Sequence, residues 1–142
     1  MNLHRFLDAQ APVYADALAE LRAGQKRTHW IWFVLPQLRG LGHSTDATYY
    51  GLENAAEAAA YLAHPVLGAR LRECVTVLLS HKDKTAHTIL GAPDDLKFRS
   101  CLTLFRAVAA PDDHLWQNAL DHFYAGQPDE ATVRLLASAP PA

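Results

Sequence analysis

Proline and glycine divide this chain into apolar stretches of helical period, and no stretch alternates with the period of two that a half-buried strand requires. Pro12 suits a first helical position. Tyr14, Leu18 and Leu21 follow at helical spacing and Gly24 supplies a left-handed stop, which predicts a helix over residues 12–23. Ser44 caps a short helix, and Asn54 with Glu57 makes a capping-box-like start for one ending near His64. Pro65 opens residues 65–80, where Val66, Leu67, Leu71, Cys74, Val75, Leu78 and Leu79 share one broad face and Arg70, Arg72 and Glu73 are left to solvent. This segment is the expected central helix. Further helices are predicted over 85–90, stopped by Gly91, then over 93–109, over 112–125, stopped by Gly126, and over 129–138. The aromatic run of residues 29–35, preceded by Thr28 as cap and interrupted by Pro36, is short enough to be either a helix or a buried strand. It is assigned to a helix because no second strand candidate exists to pair with it.

The expected fold is therefore all-α, a single multi-helix domain over residues 1–142 with a frayed tail at residues 140–142. At 142 residues, half of them hydrophobic, the chain can bury roughly two-thirds of its unfolded surface without metal or disulfide staples. A net charge of −2 argues against a nucleic-acid partner. No apolar stretch approaches the ~20 residues needed to cross a bilayer, and His4, Arg5 and Asp8 interrupt the apolar block that a signal peptide would require. Cys74 and Cys101 lie in apolar helical contexts and read as reduced core thiols, which suggests a cytoplasmic setting.

Residues 26–44 gather the ingredients of a binding site. A Gly40-Leu41-Gly42-His43-Ser44 turn running into a helix can direct backbone N–H groups and the Ser44 hydroxyl at an anion. Lys26 or Arg39 can pair with a phosphate, Trp30 or Trp32 can stack on a planar ring, and Gln37 adds an amide. The bland alternative is that Gly40 and Gly42 only shape a turn and the aromatics only fill the core. His29 is either an orienting imidazole or a general acid/base.

A second constellation lies between Asp94 and Phe105. Lys97 and Ser100 share a helix face, which allows a base and nucleophile pair, although Ser100 and Thr103 can equally bond back to the preceding turn and Lys97 can pair with Asp94. The eight histidines are scattered without metal-ligand spacing, so neither a zinc site nor another resident cofactor is expected.

Several blocks, taken in order, carry a resemblance: residues 6–10 and 21–26, the run His29-Trp30-Ile31-Trp32-Phe33-Val34-Leu35-Pro36-Gln37, Gly40-Leu41-Gly42, and residues 61–68 and 95–105. Together they resemble the bacterial family catalogued as domain of unknown function eighteen-ten. The resemblance implies an all-helical fold of this size and no established activity. A calpastatin-like label borne by some members does not transfer, because calpastatin-type inhibitors are polar and disordered whereas this composition is that of a packed globule. Where members read Ser-Ser-Met-Thr-Leu-Phe, this chain has Ser100-Cys101-Leu102-Thr103-Leu104-Phe105, so a mechanism needing a hydroxyl at 101 would have to use a thiol of lowered pKa instead.

Two functional expectations follow. The first is a pocket between residues 26–44 and 97–103 that binds a phosphorylated, nucleotide-like or ADP-ribose-type small molecule through Lys26, Trp30, Gln37, Arg39, Gly40, Gly42, Ser44, Lys97 and Thr103. If chemistry occurs there, His29 and Ser100 are its candidate catalytic residues. The alternative is a non-enzymatic helical module that binds another protein.

Overall fold

The structure, a computed structural model, describes residues 2–138; the expected tail at 140–142 lies outside them. Ten helices follow one another among the described residues: α1 (His4–Gln10), α2 (Tyr14–Ala23), α3 (Ile31–Val34), α4 (Thr45–Tyr50), α5 (Ala55–Ala63), α6 (Leu67–Ser80), α7 (Ala86–Leu90), α8 (Asp94–Val108), α9 (Leu115–Tyr124) and α10 (Glu130–Ser138). The fold is all-α. None of these helices is long and apolar enough to cross a membrane.

Local chemistry accounts for most boundaries. Ser44, Asn54 and Thr85 each accept a hydrogen bond from the N–H three residues on, satisfying donors that a helix start leaves unpaired. Gly24 ends α2 at φ +75°, a conformation that costs a residue with a Cβ roughly 1–2 kcal/mol. One helix was not foreseen, and one expectation changes. Helix α1 carries no capping side chain and no proline start, and nothing in its sequence marked it. The aromatic run is a single turn, α3, and Thr28 does not cap it, because its hydroxyl bonds to Glu20 instead. Beyond α3 the chain runs extended, and Leu38 and Leu52 form an isolated parallel bridge, with Arg39 N–H to Leu52 O at 2.7 Å and Leu52 N–H to Gln37 O at 2.9 Å.

The central helix is α8, not α6. It packs against α3, α5, α7, α9 and α10, whereas α6 meets α2, α5 and α9. Residues 100–105 are all buried, so α8 is covered around its whole circumference at that level. Its two hydroxyls are accommodated by bonding back to the preceding turn, Ser100 to Leu96 O and Thr103 to Arg99 O. The polar residues of α6 do not simply face solvent either. Arg72 pairs with Asp113 at 2.6 Å, and Arg70 lies over the Tyr14 ring and reaches Gln10, while Glu73 accepts from the Tyr14 hydroxyl.

One hydrophobic cluster runs through all of this, from Phe6 to Leu120. A buried ion pair crosses its edge: Arg5 meets Glu57 at 2.9 Å and also bonds to the carbonyls of Tyr49 and Gly51. Burial alone would raise the Glu57 carboxyl. The Arg5 guanidinium and the Glu53 N–H hold it below its ordinary value.

Candidate functional site

The segment between α2 and α3 is shaped by one carboxylate. Glu20 accepts from the backbone N–H groups of Arg27 and Thr28, from the Thr28 hydroxyl at 2.6 Å and from the Trp30 indole at 3.0 Å. Burial by itself would raise this carboxyl, but the four donors lower it to about 2. On the other side the Lys26 N–H donates to Ile89 O at 2.7 Å, tying the segment to α7. A loop held at both ends presents its side chains in a fixed direction.

Those side chains meet the start of α8. The Lys26 ammonium lies 2.7 Å from one oxygen of Asp94 and the Lys97 ammonium 3.3 Å from the other. Lys26 also donates to Thr28 O and lies 5.0 Å from the Trp30 ring, and its side chain is only 7% exposed. It is a buried strut. Lys97, 20% exposed, lies 3.7 Å from the centre of the Trp32 ring and donates only to Asp94 among the described residues. Two of its three N–H bonds remain free.

Together these residues line a cleft of about 370 Å³ with Arg27 and His29 at its exposed side. Lys26, Arg27 and Lys97 against Asp94 alone leave a surplus of two positive charges in the cleft of a chain whose net charge is −2. The first turn of the long helix α8 adds the positive end of its dipole. Such a site attracts an anion, and the Trp32 ring places a planar apolar surface beside it.

Trp32, Pro93 and Lys97 also line an adjoining second cleft of about 290 Å³, which is completed by Gln37, Leu41, Gly42, Leu96, Ser100, Asp129 and Ala131. Thus the structure brings Lys26, His29 and Lys97 to one cleft, and Gln37, Gly42, Lys97 and Ser100 to its neighbour.

The remaining sequence candidates lie elsewhere. Trp30 is 1% exposed with its indole committed to Glu20, so the ring facing the cleft is that of Trp32. Thr103 is buried, donates to Arg99 O and accepts the Asp129 N–H, which anchors the approach to α10. The Ser44 hydroxyl caps the six-residue α4, accepting the Ala47 N–H, and lines neither cleft. Gly40 abuts Leu135 of α10, and Arg39 is exposed, with its charge acting on Glu57. Among the described residues no base bonds to Ser100: its hydroxyl donates to Leu96 O while Lys97 turns to Asp94 and Trp32. Nor is Cys101 a substitute nucleophile, since complete burial pushes its thiol well above the ordinary value.

Glu20, Arg27 and Asp94 were missed as site residues, while Trp32 was one of the two rings proposed for stacking. Asp94 was visible as a partner for Lys97 at i+3, but its bridge to Lys26 depends on how α2, α7 and α8 pack.

Nothing among the curated proteins matches this chain. Among solved structures, the crystal structure of the conserved hypothetical protein Rv1873 from Mycobacterium tuberculosis is similar to it at 47% identity, covering 96% of this chain and 97% of that one, with a TM-score of 0.93. With residues 1–136 matching its sequence pattern, the chain belongs to the family described as protein of unknown function, DUF1810.

Proposed function

We propose that this protein binds a phosphorylated small molecule of nucleotide type in the cleft between residues 26–32 and the first turn of α8. The observation that carries the reading is the Lys26–Asp94–Lys97 arrangement. One carboxylate orients two ammonium groups, and the outer one, above Trp32, keeps free donors facing a cleft with surplus positive charge. Phosphate oxygens would take the donors of Lys97 and Arg27, with His29 at the exposed side as the residue placed for proton transfer should the bound compound react. The setting that goes with such a ligand is the cytoplasm, where thiols such as the buried Cys74 and Cys101 stay reduced.

A thermal-shift screen against pyrophosphate, sugar phosphates, nucleotides and ADP-ribose tests this reading. A ligand at a hundred times its dissociation constant stabilises by about 2.7 kcal/mol. Shifts shared by the phosphorylated compounds and lost in Lys97→Ala support it. A flat response from folded protein rejects it in favour of a helical protein-interaction module.

A further inference from the structure

We infer that the second cleft, beside Gln37, is the compartment for the planar heterocycle of the ligand, one that carries N–H donors next to a carbonyl or ring-nitrogen acceptor, as adenine and guanine do. This rests on the reading that the first cleft takes phosphate.

Gln37 provides the argument. It is 8% exposed, yet its side-chain amide meets no hydrogen-bonding group among the described residues. No buried side-chain nitrogen or oxygen among them is both sealed from solvent and without a partner, so the Gln37 amide opens onto the cleft that its residue lines. A ligand that fills this cleft must pair with the amide or strand it away from water, which costs the desolvation of both its ends. The backbone at Gln37 is pinned, because its carbonyl accepts the Leu52 N–H and the Arg39 N–H donates to Leu52 O. A primary amide offers one acceptor and two donors in one plane, which complements the edge of an aminated heterocycle.

The surroundings point the same way. Leu41 and Leu96 form apolar walls, and Leu96 is 59% exposed, a large apolar side chain left uncovered beside the cleft. With Lys97 assigned to the phosphates, the side chains of Ser100 and Asp129 add acceptors. Ser100 directs its proton to Leu96 O, and Asp129 binds Thr132 through Oδ2 alone, leaving Oδ1 without a partner among the described residues. An edge rich in N–H donors therefore fits better than one rich in carbonyls. Trp32, Pro93 and Lys97 belong to both clefts, so a molecule with its phosphates at Lys97 can place its ring at Gln37 by passing one shared wall.

Isothermal titration of the whole chain with pyrophosphate, ribose 5-phosphate, ADP and GDP tests the inference, using wild type and Gln37→Leu. ADP or GDP is expected to bind at least about tenfold more tightly than pyrophosphate. Gln37→Leu is expected to abolish that gain and leave the pyrophosphate affinity unchanged. Gln37→Met, of similar length and shape but without the amide, repeats the test should the leucine variant fold poorly. Nucleotides that bind no better than pyrophosphate, or a gain that survives both substitutions, overturn the inference and leave the phosphate reading intact. Failure of all four compounds to bind overturns both.

Discussion

The Lys97 ammonium stands 3.7 Å from the centre of the Trp32 ring and 3.3 Å from a carboxylate oxygen of Asp94. Held between a π face and a shared counterion, it lines the cleft. A charge-assisted hydrogen bond contributes about 1.5–3 kcal/mol, so Lys97→Ala should weaken pyrophosphate binding by roughly tenfold or more. Because exposed or half-exposed ion pairs add at most about 1 kcal/mol to stability, its melting temperature should change by only a few degrees. Calorimetric titration and melting of the same sample check both halves. Unchanged affinity would remove Lys97 from the site.

Glu20 predicts a dependence on acid. Its carboxyl titrates at about 2 in the folded chain against 4.5 for an unperturbed one, so its contribution is fully present above pH 4.5 and is lost as pH falls through about 2. Glu20→Gln should therefore melt below wild type by a constant margin above that window, and the margin should close within it. A margin independent of pH would mean that the four hydrogen bonds are not what depresses the carboxyl. Glu20→Ala also strands the indole N–H of buried Trp30 and should cost about 2 kcal/mol or more.

Gly68 sits where α6 begins against the end of α5. A Cβ there would run into the carbonyl oxygen of Leu62, which is backbone and cannot swing away. Gly68→Ala should cost about 3 kcal/mol or more in urea unfolding, at the upper end of overpacking penalties. At Gly91 a Cβ meets nothing within 4 Å and only the φ of +74° resists it. With ψ at 175° this is a region essentially reserved for glycine, and Gly91→Ala should cost roughly 1–3 kcal/mol. Equal losses at the two sites would contradict the close approach of the two helices.

The Arg5–Glu57 pair, with each side chain 5% exposed, gives a test with two signs. Removing one partner strands a buried charge, so Arg5→Ala or Glu57→Leu should each destabilise by about 3–5 kcal/mol. Replacing both, as Arg5→Met with Glu57→Leu, should recover a large part of that loss. A double variant as unstable as the sum of the singles would show that the ion pair is not the source.

Much of the helical frame was legible in the sequence because its determinants act within four residues. Ser44, Asn54 and Thr85 reach only to the N–H three positions on, and Gly24 ends α2 through its own backbone angle. The apolar period identified the core-facing sides of α2 and α6. The blocks around the aromatic run were distinctive enough to identify the family.

What the tertiary structure decided depends on distant side chains meeting. Trp30 and Trp32 stand two positions apart around the start of α3, and Trp30 is the buried ring, its indole bonded to Glu20 of α2, a pairing that local spacing does not record. The choice of α8 over α6 as the central helix follows from five helices packing around it, which a one-dimensional apolar period does not record. Most of all, Lys26 and Lys97 converge on Asp94 because the loop after α2 is tied to α7 and α7 leads directly into α8. Residue types and local caps were determined by the sequence itself; the charge balance of the cleft emerged only when packing placed those residues together.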